Sequence, residues 1–501
     1  MVEWELMSFY NVSWTMVFFF DPYSILFSLV IVIISFSISV YSLEYMQVEK
    51  EKNLFFLILF FFVIRMLVLI FSFSISCIFL GWDGLGVTSF YLITYYHNKK
   101  RLNSSLITMY TNRLGDCCII VIFGLRVDWL TWNLFFLGQE SCLILSFFLI
   151  LTALTKRAQL PFSFWLPKAM AAPTPVSSLV HSSTLVTAGL YLIFRHHNLI
   201  NLVPSRSVLW ILSFSTMVVG GVLALCRFDC KEIVAFSTLR QIGFIIFTLS
   251  IGLKKLAFFH LITHALFKSV LFMVRGALIH IYHSQDIRLL GLKKIPFTLS
   301  LPFLISLISM RGLPFLSGFY SKDAILDSII FFSSGWVIDL VAILIIGLSS
   351  LYSFRILSFI LLNKIFPSFW NLEFIRLSIL VLIFFSIFFG SLFQWIMLNE
   401  FSFHTPTFKF LILFIVLIIV SSPSIDLKIK FFWIKYIERF NFHFIKNFSF
   451  LWAIYPIIEL GWLKLTFFYL NFITTLSTMV SKIWIKFVFI LFIILIWTTF
   501  F

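Results

Sequence analysis

The chain has 501 residues, 61% of them hydrophobic and 12% charged, and 37 basic against 21 acidic side chains give a net charge of +16. Ordinary soluble domains carry about 25% charged residues, so a water-soluble enzyme is excluded: no globule of this size could hide so much apolar surface. The apolar stretches are long and continuous, not short and alternating, which excludes a membrane β-barrel and leaves an all-α polytopic membrane protein.

Runs long enough to cross about 30 Å of hydrocarbon fall at 22–43, 54–73, 75–96, 103–125, 142–166, 174–195, 207–226, 231–251, 255–281, 296–330, 338–361, 374–396, 408–421 and 483–501, which predicts about fourteen spans. Between 425 and 482, Lys428, Lys430, Lys435, Glu438, Arg439 and Lys446 interleave with Phe, Trp, Ile and Tyr. That stretch is too charged to span and too apolar to be solvated, so it predicts a long amphipathic helix lying laterally against the membrane or partner proteins. Lys and Arg concentrate in alternate short loops, a topology signal and not a nucleic-acid footprint, so no nucleic-acid partner is expected. The set with Lys99, Lys100, Arg101, Arg227, Lys231 and Arg288 is assigned to the cytoplasm-equivalent side and both termini to the other. The start Met-Val-Glu-Trp-Glu has the wrong charge for a cleavable targeting segment. The six cysteines form no Cys-x-x-Cys pair and are expected to be inert thiols.

Two spans carry prolines at mid-run, in Lys156-Arg157-Ala158-Gln159-Leu160-Pro161-Phe162 and in Met310-Arg311-Gly312-Leu313-Pro314-Phe315, with Lys168 and Lys322 following. Proline frees a carbonyl and breaks the helix, tolerable at membrane depth only where protein or water satisfies it. Paired broken helices point to an inverted-repeat transporter.

An ionisable group near the middle of a span costs about 2.5–3.5 kcal/mol on insertion scales, so such groups face protein or water. Here they are Asp83, Arg113 and Asp116 three residues apart, Lys156 and Arg157, His181, the stripe His260, His264 and Lys268 at i, i+4 and i+8, and Lys322 with Asp323. Each has a structural reading as a pair that ties helices together, and His181 alone is ordinarily a satisfied core histidine. Three titratable groups on one face make a file, which favours a proton wire. Burial disfavours a charged lysine and a carboxylate nearby restores it, so moving or wetting the carboxylate loads and unloads a proton. Imidazoles suit the relay positions. A metal site on His260 and His264 lacks a third ligand nearby in sequence. A bis-histidine haem lacks a second His pair, and the sequence has neither a dinucleotide fingerprint nor an iron–sulfur cysteine set.

Gly81-Trp82-Asp83-Gly84-Leu85-Gly86, Asn112-Arg113-Leu114-Gly115-Asp116, Trp165-Leu166-Pro167-Lys168-Ala169-Met170 and Pro173-Thr174-Pro175 through His181-Ser182-Ser183-Thr184 resemble the antiporter-like subunit 5 family of NADH:ubiquinone oxidoreductase, respiratory complex I. So do Ile233 to Thr238, His264-Ala265-Leu266-Phe267-Lys268, Gln285-Asp286-Ile287-Arg288 and Gly318-Phe319-Tyr320-Ser321-Lys322-Asp323. The resemblance runs from about residue 20 to 360. It implies two inverted repeats in a mitochondrial inner-membrane subunit that moves protons, driven by redox chemistry in other subunits. A standalone cation/proton antiporter is the alternative, disfavoured by the lateral helix. The resemblance places the pumping pair on Asp83 and Lys156, the relay on His181, His260, His264 and Lys268, the second half-channel on Lys322 and Asp323, and a gating or interface pair on Arg113 and Asp116. It implies no cofactor in this chain, FMN and Fe–S clusters being carried elsewhere in the complex. The implied partners are other membrane-arm subunits, above all the neighbouring antiporter-like subunit, and phospholipids.

The expected organisation is an N-terminal span and loop (1–53), a first antiporter-like repeat (54–206), a second (207–361), additional spans (362–424), the lateral helix (425–482) and a C-terminal anchor (483–501). Three departures stand out. Asp83 replaces the family's Glu, and one methylene less predicts a water-bridged approach to Lys156. Arg157 replaces a small polar residue and adds a cation beside Lys156, which matters unless it points away. The family's chains begin with two spans that precede the region matching 17–45, and this chain is expected to lack them.

Overall fold

The structure, a computed structural model, describes residues 1–9, 12–127, 139–200, 203–290, 295–313, 315–332, 347–358 and 373–397. The spans expected at 408–421 and 483–501, half of 338–361, and the lateral helix at 425–482 lie outside the described residues. Before the first span stands a hairpin that the sequence reading assigned no strands: β1 (Val2–Phe9) runs antiparallel to β2 (Val12–Phe18), with Val2 opposite Phe18. Its β-branched and aromatic residues alternate with polar ones, the pattern of a half-buried ribbon. Phe19 N donates to Phe71 O at 2.8 Å and Phe73 N to Val17 O at 2.9 Å, tying the base of the ribbon to the turn after the second helix.

Among the described residues, the apolar stretches long enough to cross a membrane are helical. Asp21 caps α1 (Pro22–Tyr45): its backbone N–H donates to Ser24 Oγ at 2.8 Å, and Pro22 occupies the first turn, where its missing N–H costs nothing. Then come α2 (Lys52–Phe71), α3 (Ile75–Thr94), α4 (Lys99–Val127) and α5 (Gln139–Lys156). After the first break follow α6 (Trp165–Ala169), α7 (Thr174–Ser182), α8 (Leu185–Arg195) and α9 (His197–Ile200). Next are α10 (Val203–Cys226), α11 (Cys230–Ile251), α12 (Lys254–Tyr282) and α13 (Ile287–Leu290). The series ends with α14 (Phe297–Arg311), α15 (Ser317–Phe332), a helix over residues 347–358 (α16) and α17 (Glu373–Met397). Among the described residues, nine helical stretches are long and apolar enough to cross a membrane, and Leu143–Lys156 and Phe297–Arg311 are shorter apolar helices.

The centre of the bundle is α12, which packs against α1, α7, α8, α11, α14, α15 and α17. The apolar windows of 174–195, α11 and α12 are wholly buried. Polar side chains there bond carbonyls of their own helix, as Ser237 and Thr238 do, or other side chains, as His260 and Lys268 do.

Three helix interruptions matter. At the first, α5 ends at Lys156, Ala158 adopts φ +55°, and Gln159 N reaches back to Leu154 O. At the second expected break, α14 ends on Gly312 at φ +87°, whose N–H bonds the carbonyls of Ile308 and Ser309; glycine takes that left-handed cap without strain. The third was not expected: 174–195 reads as one run, yet it splits between α7 and α8. Ser183 and Thr184 explain the split, since both hydroxyls donate to Leu179 O, at 3.2 and 2.9 Å. Leu179 O also keeps its helical bond from Ser183 N, at 3.4 Å, so three donors converge on one carbonyl where α7 ends.

At one end of the bundle the loop before α11 is pinned to the loop after α12. Asp229 and Asp286 form a backbone bridge flanked by Cys230 N→Gln285 O and Ile287 N→Phe228 O, both at 3.0 Å. Burial, and then the Asp286 carboxyl beside it, raise the Asp229 pKa against the opposing pull of Arg227 and Lys100; Arg288 faces Asp286. An acid with a raised pKa holds its proton in the folded state, so its contribution is present at low pH and lost as pH rises through that value. Amide exchange at Cys230 and Ile287, corrected for its intrinsic pH dependence, is expected to speed up over that rise. In Asp286→Asn the pH dependence should flatten; an unchanged profile would remove the pair from the tie.

Candidate functional site: a buried file of lysines and histidines

On α3, α4 and α5 the first cluster forms. Arg113 Nη1 bonds Asp83 Oδ1 at 2.7 Å and Asp116 Oδ2 at 3.2 Å, so one guanidinium bridges two carboxylates. Asp116 is buried, whereas the Asp83 and Arg113 side chains are each about a third exposed (34% and 33%). Lys156, at the C-terminal end of α5 where the first break begins, is fully buried. Its Nζ donates to the Trp82 backbone carbonyl at 2.5 Å and sits 4.2 Å over the Trp82 ring. Asp83 therefore pairs with Arg113, and Lys156 is held by the residue preceding Asp83 in the chain. Close packing sets this geometry: a Cβ at Gly81 would press on Leu69, and one at Gly84 on the Arg65 side chain.

Arg157 points away from Lys156. Its Nε donates to Ala153 O at 2.8 Å and its stem lies against Gly189 of α8. It is fully buried, and neither terminal nitrogen finds a hydrogen-bond partner among the described residues.

His181, on α7, is fully buried with its ring 6.2 Å from the Trp165 indole. That indole is fixed by donating to Thr155 O at 2.8 Å. The α7 helix brings His181 to the face of α12, but the structure gives no direct bond from it to Lys156 or to Lys268.

The second cluster is the tighter one. His260 Nδ1 lies 3.0 Å from Ser321 Oγ and its Nε2 3.3 Å from Gln241 Oε1, so one imidazole joins α11, α12 and α15. Thr263 also donates to Ser321 Oγ, at 3.0 Å. The His264 ring follows at 6.3 Å, and Lys268 Nζ donates to Ser237 Oγ on α11. On α15, Lys322 Nζ donates to Ser349 Oγ at 2.9 Å and to Arg311 O at 3.3 Å. Lys322 follows Ser321 on α15, one residue beyond the hydroxyl that meets His260. Asp323 is half-buried and lies by Gly312 at the break. Lys168 does not belong: it is exposed and stacks on Phe164, so the repeated Leu-Pro-Phe-then-Lys pattern does not mark equivalent sites.

Several participants escaped the sequence reading. Arg240, Gln241 and Arg275 sit in the middle of apolar runs and were visible as charges or amides there; all three are buried. Arg275 Nη1 contacts Cys230 Sγ at 3.0 Å. Ser349 carries no signal, and Ser237 and Ser321 lie inside the resembling motifs without a role of their own, since serines are common in these spans.

The buried charges are lopsided. Among the described residues, Lys156, Arg157, Arg240, Lys268, Arg275 and Lys322 are buried cations, and Asp116 is the one buried carboxylate.

Comparison with known proteins supplies the context. A family model described as "NADH:quinone oxidoreductase/Mrp antiporter, TM" matches residues 72–349, and one described as "NADH-Ubiquinone oxidoreductase (complex I), chain 5 N-terminus" matches 4–56. The chain is similar to NADH-ubiquinone oxidoreductase chain 5 of Aedes aegypti, 38% identical over 412 residues, covering 79% of this chain and 70% of that one. It is similar to the chain of the same name from Caenorhabditis elegans, 38% identical over 464 residues, 90% of this chain and 86% of that one. A chain of the Mrp complex from Dietzia sp. DQ12-45-1b has the same fold, with a TM-score of 0.77 at 23% identity over 90% of this chain and 54% of that one.

Proposed function

The chain belongs to the NADH-ubiquinone oxidoreductase chain 5 family, and from that premise we propose that the file from Asp83 to Lys322 is its proton pathway. It is a membrane-arm, proton-translocating subunit of complex I. The observation that carries the pathway is the second cluster, where His260 bonds groups on α11 and α15 from the middle of a buried helix. A buried polar group left without a partner costs about 1–3 kcal/mol, so such a cluster persists only where it serves an end.

Each residue then has a task. Lys156 and Lys322 hold and release the proton beside the two breaks. His181, His260, His264 and Lys268 relay it between them, with Arg113 holding Asp83 and Asp116 apart as the gating group. The His260 and His264 ring centroids stand 6.3 Å apart and both His260 nitrogens are engaged, so transfer between the two rings requires one of those bonds to break. Asp323 tunes Lys322 from the break.

The excess of buried cations favours a proton carrier over a metal-ion carrier. Along this file a sodium ion would meet Arg113, Lys156, Lys268 and Lys322 against Asp83, Asp116 and Asp323, with Asp83 and Asp116 already held by Arg113; a proton arrives on a neutral base. That observation weighs against the standalone cation/proton antiporter.

The redox cofactors, FMN and iron–sulfur clusters, belong to other subunits of the enzyme, and this chain does no electron transfer. The membrane is the mitochondrial inner membrane. Asp83 and Arg113 are partly exposed at mid-span, a costly position in lipid. That exposure supports a neighbouring antiporter-like subunit docked over α2, α3 and α4.

A native gel of gently solubilised membranes, stained for NADH dehydrogenase activity and probed for this chain, tests the assignment. Co-migration with a very large active band is expected. Migration as a small inactive species would return the chain to the standalone antiporter reading.

A further inference from the structure

His260 lies in a closed polar pocket. It, Gln241, Thr263 and Ser321 are all buried. Phe244 stands edge-on to the imidazole with centroids 5.2 Å apart, so the ring does not turn freely. Each ring nitrogen has one partner: Nδ1 faces Ser321 Oγ at 3.0 Å and Nε2 faces Gln241 Oε1 at 3.3 Å.

A carbonyl oxygen only accepts, so the hydrogen of the Gln241 bond is on His260 Nε2. The neutral imidazole then has its free lone pair on Nδ1, and the Ser321 hydroxyl donates to it. One donor is left over. Gln241 Nε2 is buried and has no partner among the described residues.

The other tautomer of His260 uses that donor. With the hydrogen on Nδ1, Ser321 Oγ accepts it and turns its own hydrogen onto Ser317 O, 3.2 Å away. Gln241 rotates its amide and presents Nε2–H to the bare His260 Nε2. Thr263 donates to Ser321 Oγ at 3.0 Å in either arrangement. Both arrangements pair the imidazole fully, and they differ by hydrogen positions and one amide rotation.

We propose that Gln241 is a positioning residue that changes from acceptor to donor as a proton passes through His260. A proton arriving from the α15 side adds to Nδ1 and makes the imidazolium. The bond to Gln241 then breaks, Nε2 gives its own proton to the next base along α12, and the ring is neutral in its second tautomer. The amide takes up no proton itself. It holds the first tautomer through its oxygen and the second through its nitrogen. A second proton follows only after the ring turns and the first tautomer is restored, so protons pass one at a time. The inference rests on the reading of His260 as part of the proton pathway.

Proton uptake by vesicles that contain the intact complex, counted per NADH oxidised, tests it. Gln241→Met keeps the length of the side chain and removes both acceptor and donor. Uptake per NADH should fall at least about twofold, because an imidazole without a fixed partner divides between its tautomers. Gln241→Glu keeps an acceptor oxygen and loses only the nitrogen that bonds nothing among the described residues. A contact that merely props the ring leaves uptake intact in that variant. The switch needs the donor, so uptake should fall there too, with the carboxylate holding the proton on His260. Normal uptake per NADH in Gln241→Met overturns the inference, and so does loss in Gln241→Met with normal uptake in Gln241→Glu. Native gels report assembly, and Gln241→Met decides alone if Gln241→Glu does not assemble. His260→Phe separates the two readings. Normal uptake there removes His260 from the pathway, whereas loss there with normal uptake in Gln241→Met removes only the switch.

Discussion

Lys322→Ala is expected to abolish redox-driven proton uptake by membrane vesicles while the complex still assembles. The ammonium is buried and bound to Ser349 and the Arg311 carbonyl, and it follows Ser321, the hydroxyl that meets His260. Alanine leaves that histidine with no basic group on the far side of α15, and no nearby side chain can substitute. Truncating a buried stem also opens a cavity, at a cost of about 2–5 kcal/mol by analogy with Met→Ala. Lys322→Met separates the two effects, since it keeps the stem and deletes the base. Both variants should lose uptake by at least about tenfold, more than 1.4 kcal/mol in the barrier. Lys156→Ala is expected to do the same at the other end, where the Trp82 carbonyl loses its donor. Native gels report assembly, and uptake after an NADH pulse reports pumping. Normal uptake in both Lys322→Met and Lys156→Ala membranes would dismiss the lysine file.

The second large effect is structural. Gly318→Ala is expected to prevent stable assembly, because a Cβ there would overlap the carbonyl of Ser309 on α14. The obstacle is backbone and cannot rotate aside, so α14 and α15 would have to separate. Small-to-large changes in packed cores cost about 1–3 kcal/mol and more where backbone must move. Gly318 opens α15, next to the break that positions Lys322. The band containing this chain should fall below detection on a native gel, whereas Gly124→Ala, where a Cβ would meet nothing within 4 Å, should assemble normally. A full-strength band for Gly318→Ala would mean that the two helices can part without loss.

Much of this was legible in the sequence because hydrocarbon imposes one rule, the twenty-residue apolar run, and the chain obeys it from 22 to 282 within a few residues, save at 142–166, where the helix stops at Lys156. The candidate site was legible for the same reason: a lysine in such a run is conspicuous. What stayed hidden was whatever uses ordinary residues. Ser183 and Thr184 break a run whose hydropathy never falters, since the cause is a hydroxyl bonding a carbonyl. Ser321, Ser237 and Ser349 join the file through tertiary contacts that no periodicity encodes. The β1–β2 ribbon is too short and too polar to register as an apolar run, so the spanning rule is blind to it. The fate of Arg157 turned on a rotamer, and that rotamer lies along α8.

The buried positive imbalance has a consequence for how events at one end are felt at the other. His260 and Lys268 are eight residues apart on one unbroken helix, about 12 Å at 1.5 Å per residue. Two unit charges at that distance repel by about 1.4 kcal/mol at an effective dielectric of 20. That is a factor of about ten in occupancy. With one buried carboxylate to shield them, the cations behave like charges on a chain of small capacitors: filling one discourages filling the next. On the proposed pathway, a proton taken up at His260 would thus be felt at Lys268 by voltage alone, with no helix movement needed.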